Sequence, residues 1–188
     1  MNRDLNRYGS AAIFCLAVIQ IGATDHVTRE ALKVERLLQT IERQSSRSDA
    51  RGLSAIVTES ELNAYIAYRL VQEKSAYIDS LDVDLQPNNH VQGNISLDAQ
   101  GLSLDAIIGE YLNFHVKGIL VARDGAARLD LISVQLNGRP VKPQVLDFVL
   151  DTAARYGGAD PGRSEGWYEL PKGIKRIAVR QDQAILYY

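Results

Sequence analysis

From Tyr77 onward the apolar residues fall at every second position. Leu81, Val83 and Leu85 share a face with Tyr77, Asp79 being a polar intruder, while Ile78, Ser80, Asp82 and Asp84 take the other face. After Pro87-Asn88-Asn89, the apolar Val91, Gly93, Ile95 and Leu97 alternate with Gln92, Asn94, Ser96 and Asp98. A period of two is the side-chain period of a strand. Two such runs around a turn-forming triplet predict an antiparallel hairpin with one wet face. A sheet that is apolar on one face needs another layer to cover it, and this requirement constrains the chain more than any other feature.

The pattern continues after a linker over 102–110. Leu112, Phe114, Val116, Gly118 and Leu120 face one way; Asn113, His115 and Lys117 face the other. Asp124-Gly125 turns the chain. Leu129 and Leu131 keep the alternation, but Ile132, Val134 and Leu136 take the opposite phase. Such a flip marks a bulge or a strand buried on both faces. Asn137-Gly138 is a further turn, and a last hairpin has arms 174–180 and 183–188 around Gln181-Asp182. A short strand is also expected over 53–57.

Three segments carry the helical period. Val27, Ala31, Val34, Leu38 and Ile41, widened by Leu37, form the stripe of a first helix that Asp25 can cap. The stripe suits packing on its own domain better than a coiled coil, which needs a longer run of heptads. Thr58-Glu-Ser-Glu61 has capping-box spacing ahead of a second helix carrying Leu62, Tyr65, Ile66 and Leu70, which is expected to end near Lys74. Pro143 suits the first turn of a third helix with Val145, Leu146, Val149, Leu150 and Ala153 on one face, stopped by Gly157-Gly158. The expected fold is α+β: a strongly curved antiparallel sheet, meander plus C-terminal hairpin, wrapped around amphipathic helices.

The segment Ser10–Ala23 is a short apolar run behind Arg3 and Arg7, the layout of a secretory signal. It is shorter than the roughly 20 residues of an ordinary spanning helix. Residues 1–23 are thus a cleaved signal peptide or an uncleaved N-terminal anchor, with membrane association through that segment, and residues 24–188 form one domain. Cys15 lies behind the bulky Phe14 and is an ordinary residue of the apolar run. Removing 23 of the 188 residues leaves 165, with no cysteine and a net charge of −3. A chain of that size buries roughly 70% of its unfolded surface and needs no disulfide or metal staple. It has no Lys/Arg stripe, which argues against nucleic acid as a partner and against strong attraction to anionic lipid. The expected location is exported, periplasmic or envelope-associated.

No catalytic set stands out. His26, His90 and His115 fall on a helix start, a turn and a strand's polar face, without metal-ligand spacing. His115 with Asp98 is the best catalytic pairing available, and an exposed strand histidine is the simpler reading. Asp79, Asp82 and Asp84 lack the loop spacing of a calcium site. Asn94-Ile95-Ser96 fits the glycosylation triplet, which matters only in a eukaryotic secretory route. No cofactor is implied, and the chain reads as non-enzymatic.

Gly93 and Gly118 lie in phase with the apolar residues of their strands. A glycine there marks a bend or a close contact, or else leaves room for an apolar ligand between sheet and helices. In the second case the groove walls comprise Leu62, Ile66, Leu81, Val83, Val91, Gly93, Ile95, Phe114, Val116, Gly118, Leu146 and Leu150. Tyr65, Tyr68, Tyr156, Trp167 and Tyr168 are candidates for its rim.

Thr58-Glu-Ser-Glu-Leu-Asn-Ala-Tyr65, Leu136-Asn-Gly-Arg-Pro140 and Leu170-Pro-Lys-Gly-Ile174 before a terminal hairpin together resemble exported bacterial domains of the tubular lipid-binding (TULIP-like) type. The resemblance spans most of the chain after residue 23 as a pattern of elements. It implies a curved sheet around a long helix, acyl chains held in the groove, and lipid binding or transfer in the cell envelope, with no catalytic residue. The alternative is an envelope protein-interaction module with a solid core and no ligand.

Overall fold

The computed structural model describes residues 9–45, 52–72, 78–98, 111–157 and 166–188, with backbone alone for 9–25, 150 and 152–157. The expected linker over 102–110, the end of the second helix near Lys74 and most of the loop at 159–166 lie outside the described residues. The elements run α1 (Gly9–Ser45), β1 (Ser54–Thr58), α2 (Glu59–Gln72), β2 (Ile78–Leu85), β3 (His90–Asp98), β4 (Tyr111–Arg123), β5 (Ala126–Leu136), β6 (Arg139–Val141), α3 (Pro143–Gly157), β7 (Tyr168–Glu169), β8 (Arg176–Arg180) and β9 (Gln183–Tyr187).

The fold is α+β, as the pattern of periods required. Strands β2 to β6 pair in chain order into an antiparallel sheet curled through 211° as a half-barrel, and β7 adds to the far end of β5. The C-terminal hairpin does not extend this sheet. Instead β9 sits between β1 and β8 in a separate three-stranded sheet, Ser54 opposite Tyr187 and Arg176 also opposite Tyr187.

The turns follow from residues that tolerate the left-handed backbone region. Asn88 and Asn89 (both φ 61°), Asp124-Gly125 (52° and 77°) and Asn137-Gly138 (48° and 77°) each place two successive residues there, as tight hairpins on twisted strands demand. The phase flip in β5 is a bulge. Lys117 pairs with Ser133 but Gly118 with Leu131, which leaves Ile132 as the extra residue, 58% exposed. A second register shift in β2 explains Asp79. Ile78 pairs with Leu97 and Ser80 with Ser96, so Asp79 is the additional residue. Ile78 therefore joins the inner face and packs on the core, a correction to its expected outward direction.

Each end of the half-barrel is covered differently. At one end α3 lays Leu146 and Val149 against Leu97, Leu112, Phe114, Val116 and Val134, all buried. Each such side chain contributes about 1.5–3 kcal/mol on full burial. At the other end stands the three-stranded sheet with α1 and α2. Of the α1 stripe Ala31 and Ile41 are fully buried there and Val34 nearly so, Leu37 and Leu38 are half-buried, and Val27 is 43% exposed; from Ala31 on the stripe packs within its own domain. Asp25 does not cap this helix, since α1 already runs unbroken from Gly9; the Ala- and Ile-rich run before it contains no proline to stop it.

Gly118 corrects the expectation of free space. A β-carbon there would lie 2.7 Å from Leu129 Cγ and 2.9 Å from the Asp130 carbonyl oxygen, so the glycine permits close packing at the bulge. At Gly93 the nearest atom is 3.9 Å away, so that position is open. Gly118→Ala is expected to destabilise the fold by about 1–3 kcal/mol through overpacking, and Gly93→Ala to leave it within ~0.5 kcal/mol. Urea denaturation of the two variants checks this difference.

Candidate functional site: an apolar cavity between two sheets

Backbone hydrogen bonds stitch the small sheet across the turn end of the half-barrel. Gly125 N donates to Lys175 O (2.9 Å) and Asp182 N to Leu85 O (2.9 Å), while Glu59 N at the start of α2 donates to Asp182 O (2.9 Å). Asn89 brackets one residue of β8 through both of its backbone polar groups. Its amide N donates to Val179 O at 3.2 Å, and its side-chain Oδ1 accepts from Val179 N at 2.7 Å. Turn and strand are thereby fixed to one another by groups that burial would otherwise leave unpaired.

Helix α2 is fixed to the β2 edge in a comparable way. The Asn63 carboxamide donates to Val83 O and accepts from Val83 N, both at 2.8 Å, as a neighbouring strand would. Glu59 Oε2 accepts from Leu85 N at 2.7 Å. These bonds satisfy an edge that would otherwise invite pairing, and the helix that supplies them also brings Leu62 and Tyr65 to the cavity.

The capping box forms as its spacing required: Glu61 Oε2 accepts from Thr58 N (2.9 Å) and Thr58 Oγ1 from Glu61 N (3.3 Å). Glu61 is the buried charged residue of the described core, and Lys33 of α1 donates to it. Burial pushes the Glu61 carboxyl upward. The hydrogen bond and charge of Lys33, with the Thr58 amide, outweigh that and hold it below the ordinary carboxylate range. The same bond raises Lys33 above the ordinary lysine range.

These elements leave a cavity of about 290 Å³ whose lining presents no polar surface. Its walls are Val34 and Leu38 of α1, Leu62 and Tyr65 of α2, and Val57 of β1. Val83, Leu85, Val91 and Leu120 come from the half-barrel. Pro171, Ile174, Ile177, Val179, Ala184 and Leu186 come from the C-terminal region. Of the lining residues Pro171 is exposed, and Leu38, Leu62, Tyr65, Val83, Val91, Leu120 and Ile177 are half-buried. Ion pairs join α1 to both neighbours, Lys33 to Glu61 and Lys172 to Glu42 (3.3 Å). A wider depression of about 400 Å³ beside α2 and β2 includes Asp79, Ser80 and Asp82 in its wall. Its polar, exposed walls suit it less to an apolar ligand than the smaller cavity.

Of the expected groove residues, Leu62, Val83 and Val91 line the cavity. Leu81 lines the wider depression instead. Ile95, Phe114, Val116 and Leu146 belong to the solid core under α3. Ile66 is half-buried on α2 without joining the cavity wall, Gly93 is open, Gly118 is filled by its neighbours, and the Leu150 side chain lies outside the described residues. Among the rim candidates, Tyr65 is at the cavity and Tyr68 half-buried on α2. Trp167 stacks with Arg123 and Arg128, 4.8 and 5.0 Å from its ring centroid. Tyr168 is exposed, and the Tyr156 side chain lies outside the described residues. The walls from β8 and β9 are Ile177, Val179, Ala184 and Leu186, every second residue along each arm of the expected hairpin; no local pattern reveals that β9 pairs with β1.

His115 faces away from the cavity on the convex side, its Nδ1 2.7 Å from Asn94 Oδ1, while Asp98 stands opposite Tyr111 at the far end of β3. Among the described residues no three His, Cys, Asp or Glu side chains gather as metal ligands, and no helix is long and apolar enough to cross a membrane. The chain matches no protein-family model, no curated protein and no solved structure.

Because folding favours ionised Glu61, its stabilisation is complete above the unfolded carboxylate's titration near pH 4.5 and is lost as pH falls through the lower folded value. Melting temperature is expected to drop on acidification below about pH 4.5, and Glu61→Gln to flatten that acid limb while lowering stability at neutral pH. Thermal melts of both proteins from pH 7 to pH 3 measure it.

Proposed function

We propose that this protein is a non-enzymatic, exported lipid-binding or lipid-transfer protein that holds hydrocarbon in the cavity between its two sheets. The observation that carries this reading is the cavity itself, about 290 Å³ with walls that present no polar surface. That is near the lower end of ligand-pocket sizes. Apolar voids are costly because their walls lose contacts on one side. A hydrocarbon guest restores those contacts and gains about 0.8 kcal/mol per methylene removed from water. The resemblance of Thr58–Tyr65 and the terminal motifs to TULIP-like domains supports the same class of ligand. Export is supported by the apolar run Ser10–Ala23 behind Arg3 and Arg7. An anchored form acts at the membrane that holds it, and a cleaved form diffuses with its ligand.

A second reading, an envelope protein-interaction module, draws support from the solid packing of Leu97, Leu112 and Phe114 under α3. That reading predicts no ligand and a protein partner recovered by crosslinking in intact cells.

Native mass spectrometry of the purified protein, with organic extraction of whatever it carries, separates the two. Lipid is expected in the extract or on incubation with labelled lipid. Val91→Phe, which fills the cavity from β3, is expected to cut uptake at least tenfold while keeping the melting temperature within a few degrees. Protein that carries no lipid and takes none up leaves the interaction module standing.

A further inference from the structure

We infer that the convex face of the half-barrel carries a second binding site, which takes a neutral saccharide. The site is a hollow of about 280 Å³ over β2 to β5, on the wet side of the sheet and independent of the lipid-binding reading. Its polar side chains stand in two rows across the strands. Ser80, Ser96 and Asn113 are opposite one another in the first, and Asn94, His115 and Gln135 in the second. The rows lie about 7 Å apart along the strands, and the second crosses three strands over about 10 Å, a length comparable to two linked pyranose rings. Ile95 and Phe114, whose side chains point inward, and Gly138 complete the wall. Although 23% of the chain is charged, the wall contains no Asp, Glu, Lys or Arg. An ionic ligand meets no counter-charge there, and hydrocarbon strands the polar groups. A ligand rich in hydroxyls, each of which donates and accepts, satisfies amide, hydroxyl and imidazole alike.

The hydrogen bonds within the hollow leave its groups available. His115 Nδ1 lies 2.7 Å from Asn94 Oδ1. An amide oxygen only accepts, so Nδ1 carries the proton, and in the neutral ring Nε2 remains an acceptor. Asn94 Nδ2 keeps both of its donors. Donor and acceptor thus stand side by side on paired strands, a pattern that two adjacent hydroxyls of one sugar ring match. Asn113 is held through its backbone amide, which donates to Asn137 Oδ1 at 3.0 Å. Among the described residues its side chain has no hydrogen-bond partner, nor have those of Ser80, Ser96 and Gln135. Tyr111 stands two residues before Asn113 on the same face, 54% exposed. An exposed ring at the edge of a row of amides is where the apolar face of a pyranose can pack. Asp82, Asp98 and Lys117, the next charges on this face, flank the hollow without lining it.

Titration of the purified, isotope-labelled full chain, followed by NMR of backbone and side-chain amides, tests this. The probes are chitotetraose, cellotetraose, maltotetraose and mannotetraose, with tetragalacturonate as the charged comparison. At least one neutral tetrasaccharide is expected to bind with a dissociation constant of about 1 mM or lower, shifting the side-chain amides of Asn94, Asn113 and Gln135 together. Asn113→Ala and Gln135→Ala should each weaken that binding about fivefold, and Tyr111→Ala by a similar factor. Lys117→Ala, on the same face but outside the wall, should change it by less than about twofold. Melting curves establish that each variant is folded. Failure of every neutral saccharide to shift these amides at about 10 mM overturns the proposal. So does tighter binding of tetragalacturonate, a set of shifts confined to another part of the molecule, or wall variants that bind as well as the parent protein.

Discussion

A sheet curled through 211° encloses an apolar inner face but does not close on itself, and everything else in this molecule answers that deficit. A full barrel would bury the face and abolish its edges together. A half-barrel needs a cover for the face and a partner for each exposed edge. The chain covers the face and partners the β2 edge with separate devices. Helix α3 covers one end, the three-stranded sheet with α1 and α2 covers the other, and Asn63 with Glu59 stands in for a strand along the β2 edge.

The two covers differ in how well they fit, and the difference has a physical origin. Under α3 the contact is helix against strand, with Phe114 1% exposed and Leu97 and Leu112 fully buried; side chains of mixed size interdigitate and the core is solid. At the other end the covering body is itself a sheet, pinned through backbone at its rim by Asn89, Leu85 and Gly125. Those bonds fix the separation of the two layers. Val83 and Val91 of the half-barrel pack into one cluster with Val179 and Ala184 of the small sheet, but these short branched or small side chains leave part of the space between the layers unfilled. The same register that secures the corner therefore leaves the space.

Much of the fold was legible because its signals are local. Alternation located the strands, paired turn residues located the hairpins, and Thr58 with Glu61 marked the start of α2. The flip at Ile132 announced the bulge that the register shows. The site was less legible. Leu62, Val83 and Val91 were identifiable, but Phe114, Val116 and Leu146 have the same character and the same phase and belong to the solid core. Gly93 and Gly118 are equivalent as letters in a strand; only the neighbouring Leu129 and Asp130 distinguish an open position from a filled one. The decisive pairing, Ser54 with Tyr187, joins segments 133 residues apart (187 − 54), and no local pattern encodes it. The cavity wall from Val57 to Leu186 was thus hidden where the long-range sheet was hidden.

That long-range pairing also sets an order of events. The half-barrel is built from neighbours in sequence, and the hairpins that turn at 86–89, 124–125 and 137–138 can zip as they are made, since their loops are short. Strand β1 precedes them all yet has no partner until β9 exists. Through that interval β1 and the apolar stripe of α1 are present without the sheet that will hold them, and the space between the layers has no floor. The last strand to be synthesised among the described elements is the one that turns a curved sheet into a container. The cavity is consequently completed only once β9 has been made: a pause before it leaves the half-barrel without the wall that β1, β8 and β9 supply.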